Sequence, residues 1–320
     1  MKSVSELTDF YYKTLYPKLQ MLEKERAQVR SRVLLSSGFI ALIALFILGM
    51  LLKNDVVSFD AIVILSFLSM GIISFVAKLL LQDYTKAFKQ QIIKPLIHAI
   101  DANLNYLENN HLDQRKFEAS TLFSVPDRLS GNDHISGNID GVPIEFSDIH
   151  AEKKHKDSKG RTSWSTIFRG LYIVTDFPKN FHGTTLVLPD TAQKTFGDLL
   201  GGWFQSHAIG RGELVKMDDP AFEKEFVVYA SDQIEARYIL SHTLMQKILQ
   251  LKNKSQHNVY LSFKDNRLYI AIYYDKDLFE PTLFSSLLEY KVAIEYIKTL
   301  NMTLGLVEEL KLNQKLWSKR

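Results

Sequence analysis

No cysteine occurs in the 320 residues, which excludes a disulfide framework, a thiolate metal centre and a cysteine nucleophile. Charge is missing from two long stretches: Val33 to Leu52 and Ala61 to Ala77 contain no Asp, Glu, Lys, Arg or His. Ionisable side chains within a span mark ion or substrate paths, so their absence argues for packing rather than transport. Also missing are His-Glu-x-x-His, a Gly-x-Ser-x-Gly elbow and the Gly-Lys-Ser/Thr ending of a phosphate loop, which Gly210-Arg-Gly212 does not complete. No motif for a zinc protease, a hydrolase elbow or a nucleotide loop remains. A net charge of +3 is too weak a bias to imply a nucleic-acid partner.

What the two uncharged stretches do contain is apolar side chains in lengths that match a bilayer. A hydrocarbon core about 30 Å thick takes about 20 helical residues at about 1.5 Å each. The first run has 20, and the second reaches a similar length if Leu79, Leu80 and Leu81 continue it past a snorkelling Lys78. A buried hairpin in a soluble domain would carry a polar stripe, and a signal peptide would start earlier and have a shorter apolar core. The expectation is a transmembrane hairpin, 33–52 and 61–81, with Ser36, Gly38, Gly49, Ser66, Gly71 and Ser74 allowing close approach. Lys18, Lys24, Arg26, Arg30 and Arg32 precede it, Lys78, Lys86, Lys89 and Lys94 follow it, and the short loop offers Lys53 alone. Cations in excess on one side place both termini in the cytoplasm.

Flanking the hairpin, Val4, Leu7, Tyr11, Leu15, Leu19 and Leu22 keep a helical stripe, and Ser3 with Glu6 has capping-box spacing. Phe88, Ile92, Leu96, Ile100, Leu104 and Leu107 do the same from Lys78 to about Asn110. Pro17 and Pro95 lie at matched distances from the membrane edge, and each should end or kink its helix. The reading is a paired stalk with Leu19 and Leu22 against Phe88 and Ile92.

From Gln114 onward the chain has the texture of a globular domain large enough for its own core. Expected strands are His134 to Ile139, Val142 to Ala151, Ser165 to Thr175, Thr184 to Leu188, Glu213 to Met217, Lys224 to Ala230, Asn258 to Phe263 and Arg267 to Tyr274. Lys264, Asp265 and Asn266 form a hairpin turn. Asp232 with Glu235, and Ser286 with Glu289, each open a helix. The fold class is α+β: a two-helix transmembrane hairpin with a helical stalk, then a mixed, mainly antiparallel sheet with two or three helices. The expected division is 1–32, an N-terminal cytoplasmic segment; 33–81, the hairpin; 82–113, the stalk; and 114–320, a cytoplasmic domain.

Gly141-Val-Pro-Ile-Glu-Phe-Ser, Phe168-Arg-Gly-Leu-Tyr-Ile, Asp176-Phe-Pro-Lys-Asn-Phe-His-Gly, Phe222-Glu-Lys-Glu-Phe-Val-Val-Tyr and Asp232-Gln-Ile-Glu-Ala-Arg-Tyr-Ile-Leu follow in order. As a string they resemble the DUF3137 family of uncharacterised bacterial membrane proteins, over roughly Phe117 to Tyr274. The resemblance implies a membrane hairpin followed by this domain and a bacterial inner-membrane location. It brings no catalytic residues, and Pro178 departs from its pattern. Read as scaffold, the same residues explain themselves: Phe222, Phe226, Val228 and Tyr229 suit a half-buried strand, Arg237 suits an ion pair with Asp232, and Gly170 and Gly183 suit a bulge or turn.

Asp148, His150 and Glu152 share one face of a strand, with His155 just beyond, and are the weak catalytic candidates, as metal ligands or an acid and base pair. A strand leaving the core into a polar loop produces the same alternation. Lys153, Lys154, Lys156, Lys159 and Arg161 form a cationic segment and are the candidates for anionic lipid contact. Trp203 in Gly201-Gly-Trp-Phe204 and Trp317 beside Lys319 and Arg320 are the tryptophans set near flexible or basic residues. No cofactor and no metal site is expected. The partners are the bilayer and an unidentified protein, with no nucleic acid. The function expected is a membrane-anchored cytoplasmic binding or assembly module, and the alternative is a membrane-tethered enzyme acting near the bilayer.

Overall fold

The computed structural model describes residues 4–54, 58–177, 182–190, 212–306 and 310. Two helices dominate the first third: α1, Val4–Lys53, and α2, Phe59–Ile100. The uncharged runs sit inside them, so each helix continues well past the apolar stretch at its cytoplasmic-expected end. Ser58 caps α2 by accepting the Ala61 amide, which satisfies one of the donors a helix start leaves open.

By its contacts the chain divides into two units, the first of residues 5–96 with 279–295. There α1 and α2 pack as an antiparallel hairpin. Leu7, Tyr11, Leu15, Leu19 and Leu22 on α1, and Tyr84, Phe88, Ile92, Ile93 and Leu96 on α2, are buried. These include the four residues expected to face one another. Neither proline ends its helix. Instead a π-turn runs over Tyr11–Leu15 and another over Lys89–Ile93, so Pro17 and Pro95 each fall in the first turn of a fresh α segment. A missing N–H and a fixed φ are tolerated in that position.

Residues 279–289 form a strap over this hairpin. Lys89 Nζ lies 2.7 Å from Glu280 Oε1, and the Tyr84 hydroxyl donates to the Thr282 carbonyl at 3.2 Å. Arg26 donates to the Leu283 carbonyl at 2.5 Å, and Glu23 accepts the Leu287 amide at 3.0 Å. Arg26 and Glu23 bond each other through two hydrogen bonds of 2.9 and 2.7 Å. A buried charge is stable only when paired, and here both members also hold the strap's backbone.

The second unit, residues 97–278 with the described residues from 296 onward, is built on one nine-stranded sheet. Its strands are β1 (Asn105–Leu107), β2 (Arg128–Ile139), β3 (Val142–Lys156), β4 (Thr162–Asp176), β5 (Thr185–Pro189), β6 (Glu213–Val215), β7 (Phe226–Ala230), β8 (Val259–Lys264) and β9 (Arg267–Tyr273). Their spatial order is β1-β2-β3-β4-β9-β8-β5-β7-β6, and every described pairing is antiparallel. The helices are α3 (Gln114–Ala119), α4 (Pro220–Glu225), α5 (Gln233–Ile239), α6 (His242–Ser255) and α7 (Tyr290–Leu304), whose start belongs to the first unit. The architecture is α+β, as expected.

Turn chemistry fixes two registers. Asp265 and Asn266 both have positive φ between Lys264 and its partner Arg267, and Asp140 with Gly141 does the same between Ile139 and Val142. Two consecutive positive φ angles make the type I′ turn that matches strand twist. One core cluster gathers Phe117, Ile149, Phe168, Tyr172, Leu186, Tyr260 and Tyr269 on one face of the sheet.

Several local expectations need correction. The stalk helix ends at Ile100 rather than near Asn110, because Asn105–Leu107 instead adds an edge strand to β2. Lys224 belongs to the short helix α4, and the strand starts at Phe226. Gly170 has φ +142°, and a Cβ there would meet the Ile272 carbonyl at 2.2 Å. Close approach of β9, not a bulge, is its reason; the bulge lies nearby, where Ala151 pairs with Phe168 and Glu152 with Thr166. Gly183 likewise leaves room for Ser231 and Glu235. Arg237 donates to the Lys216 carbonyl instead of pairing with Asp232, while Asp232 caps α5 as expected. Ser3, Pro178, Trp203 and Trp317 lie outside the described residues.

Candidate functional site

The polar face of β2, β3 and β4 lies opposite the core cluster. Along β3 the period of two puts Ile149 and Ala151 into the core and sends Asp148, His150, Glu152, Lys154 and Lys156 to the other side. The register continues that face with Arg128 opposite Glu152 on β2, and with Trp164 opposite Lys154 and Arg169 opposite His150 on β4.

The face is real, but its members are already engaged. The Asp148 carboxylate accepts the Leu278 amide at 2.8 Å, and Arg169 lies 3.2 Å from Asp277; together they pin the chain that leaves β9. Glu152, nearly buried, takes a 2.6 Å hydrogen bond from Arg128 Nε. His150 Nε2 lies 3.0 Å from the Thr166 hydroxyl and 4.0 Å from Glu152 Oε1. Each carboxylate thus satisfies a neighbouring donor, which is what a buried carboxylate requires. Among the described residues no group of three His, Cys, Asp or Glu side chains is placed to hold a metal ion.

Beyond the last β2 and β9 partners, residues 153–156 and 162–165 pair only with each other. The result is a two-stranded finger with its tip at 157–161. Asp157 closes the tip by accepting the Lys159 and Arg161 amides at 2.9 and 2.8 Å. Of the five cations read from the sequence, Lys153 sits 3.5 Å from Asp127 and donates to the Val125 carbonyl. Asp127 also accepts the Lys154 amide, and that hydrogen bond holds its carboxyl below the usual range. Lys156, Lys159 and Arg161 are exposed, and no described residue forms an ion pair with them.

The sequence reading missed two residues that complete this surface, Arg128 and Trp164. The Arg128 guanidinium stacks 4.3 Å from the Trp164 ring centroid, and Lys154 Nζ lies 5.8 Å from it. Stacking against the indole's negative face stabilises both cations, while Trp164 stays partly exposed. The available signal was Thr162, Trp164 and Thr166 alternating in a run begun too late, at Ser165.

Elsewhere, Lys116, His134 and Glu145 form a half-buried group in which Lys116 and His134 both reach the Glu145 carboxylate. Burial opposes ionisation there, and the His134 and Lys116 hydrogen bonds outweigh it, keeping the Glu145 carboxyl low. Asp219, His242 and Gln246 form another. Asp219 caps α4 and is held low by the Phe222 amide, with Gln246 2.7 Å away and His242 3.4 Å away. Both read as structural ties.

These features define a class: an antiparallel α+β domain in a chain with two helices long and apolar enough to cross a membrane. Residues 166–312 match the family model DUF3137, a protein of unknown function. The resemblance read from the motifs is borne out over that stretch, which begins after Gly141-Val-Pro-Ile-Glu-Phe-Ser and continues past Tyr274. No curated protein matches the chain. Among solved structures, the crystal structure of the mycobacterial trehalose monomycolate transport factor A, TtfA, is similar at 11% identity over 68% of this chain and 92% of that chain. Its TM-score of 0.35 is too low to establish a common fold.

Proposed function

We propose that this chain is a bacterial inner-membrane binding module: α1 and α2 span the bilayer, both termini are cytoplasmic, and the sheet domain binds through its cationic finger rather than catalysing a reaction. The observation that carries the reading is that the most apolar windows of α1 and α2 are 6% and 0% buried. A core helix would bury such side chains in protein; these leave them for lipid. Nine flanking cations against Lys53 in the loop support the orientation.

The finger's ligand in this reading is an anionic head-group surface. Lys153, Lys154, Lys156, Lys159 and Arg161 stand against Asp157 alone in residues 153–166, beside an indole suited to an interface. Each cation near such a surface contributes on the order of 1 kcal/mol, screened over a Debye length of about 8 Å. The enzyme alternative loses its support in the structural hydrogen bonds of Asp148 and Glu152.

Because the chain has no cysteine, a single Ser158→Cys substitution allows clean labelling of the finger tip. In whole cells an impermeant reagent should reach Asn54→Cys and not Ser158→Cys; labelling of the latter overturns the orientation. In proteoliposomes, an environment-sensitive dye at position 158 should shift in anionic and not in neutral lipid, and the shift should fade with salt. Equal behaviour in both lipids removes the finger as a lipid contact.

A further inference from the structure

The strap has a shape that the helices beneath it make measurable. Measured outward from Leu81 at about 1.5 Å per helical residue, Tyr84 stands about 5 Å and Lys89 about 12 Å from the edge of the apolar run. Measured back from Val33, Arg26 stands about 10 Å and Glu23 about 15 Å away. The strap leaves Lys89 at Glu280, reaches Tyr84 and Arg26 at Thr282 and Leu283, and returns to Glu23 at Leu287. Its apex is therefore 282–285, the part nearest the apolar run. The Thr282 hydroxyl donates to the Ser285 carbonyl at 2.8 Å and closes the apex as a turn.

At that apex the burial pattern inverts. Phe279 and Leu287, at the two feet, are fully buried, whereas Phe284 is 72% exposed. Among the described residues the other exposed phenylalanines, at 39, 46, 59, 67 and 75, lie in or at the ends of the apolar runs. Arg26 and Glu23 hold the backbone on either side of Phe284, so its exposure is built in by a buried, paired contact rather than left over at a loose loop.

We propose that the strap is an interfacial contact, with Phe284 seated in the head-group layer of the same bilayer that takes α1 and α2. The proposal rests on the membrane-spanning reading above. A bilayer about 40–45 Å thick overall with a core of about 30 Å has interfacial layers of about 5–7 Å, which reach the level of Tyr84, where Thr282 is held. Aromatic rings favour that layer, and Arg30, Arg32 and Lys86 around it suit its anionic head groups.

The test uses the full chain in lipid vesicles with one nitroxide label per protein, at Phe284→Cys, Phe46→Cys or Ile234→Cys, and compares collisions with oxygen and with a water-soluble nickel chelate. Phe46 lies in the first apolar run, and Ile234 is 81% exposed on the sheet unit. The expected result is an oxygen-to-nickel ratio at 284 between those at 46 and 234. A ratio at 284 equal to that at 234, with 46 in lipid, overturns the strap contact and leaves the spanning helices intact. An aqueous ratio at 46 overturns both. Since Phe284 is exposed, its replacement leaves the buried contacts of the strap in place.

Discussion

Leu19 and Leu35 are the same residue on the same helix, yet Leu19 is fully buried and Leu35 is 72% exposed. The contrast extends to their neighbours: Leu7, Leu15 and Leu22 are buried, whereas Leu34, Phe39, Leu42 and Phe46 are exposed. One half of the hairpin satisfies its apolar residues within the protein, and the other presents them outward. The protein-facing half also carries polar ties, Glu23, Arg26, Tyr84 and Lys89, which hold the strap. The two halves use similar residues for different solvents.

The sharpest way to break this contrast is to truncate both leucines in the detergent-solubilised chain. Leu19→Ala removes buried contacts and leaves a cavity, for an expected loss of about 2–5 kcal/mol. Leu35→Ala touches little protein and should stay within about 0.5 kcal/mol. Comparable losses by thermal or denaturant unfolding would mean that the outward half is packed after all.

Next in size is the paired charge. Arg26→Ala leaves Glu23 and the Leu283 carbonyl without their donor, and removing one member of a buried pair costs about 3 kcal/mol. Arg32→Ala, at an exposed position of the same helix, should be near neutral. Amide exchange over 279–289 should rise sharply in the first variant alone.

The smallest expected effect is a pH dependence of the strap. Burial disfavours the ionised Glu23, but hydrogen bonds from Arg26, the Leu287 amide and Ser286 outweigh it and hold the carboxyl below its usual range. A value lower in the folded state means that this contribution is fully present above the unfolded pKa of about 4.3 and is lost as pH falls through the folded one. Strap protection should therefore fade below about pH 4, and Glu23→Gln should weaken it at neutral pH while flattening the acid response. An acid response unchanged in that variant would overturn the assignment to Glu23.

Much of this fold is legible in sequence because its signals are local. Strand periods and turn residues place eight of the nine strands, and the Asp265–Asn266 turn pairs β8 with β9. Asp232 marks a helix start because capping needs nothing beyond the next few amides, whereas Ser286 accepts the Leu288 amide in a turn and its helix begins only at Tyr290. The edge strand β1 is only three residues long, too short for a period. The route of the sheet and the return of the strap depend on partners hundreds of residues apart, Arg26 and Leu283 among them. At the candidate site the shared face of Asp148, His150 and Glu152 follows from alternation alone. That Asp148 serves Leu278 and Glu152 serves Arg128 does not, because a strand pattern says which side a residue takes and not which donor waits there.

The two π-turns also carry arithmetic. Leu7, Tyr11, Leu15 and Leu19 recur at strict intervals of four, as do Phe88, Ile92, Leu96 and Ile100. On an α-helix of 3.6 residues per turn, each such step overshoots a full revolution by about 40°. A turn with an extra residue gives back part of that rotation, and one sits within each series, over Tyr11–Leu15 and Lys89–Ile93. Each π-turn is thus a phase correction on a seam whose spacing would otherwise wind out of the interface. Without the turn over Tyr11–Leu15, twelve regular helical residues would carry Leu7 about 120° away from the line of Leu19, whereas deleting one residue, Lys13 for example, would leave eleven and bring the two within about 20°. A one-residue deletion there would then keep on one line the two residues that an uninterrupted helix of native length would separate.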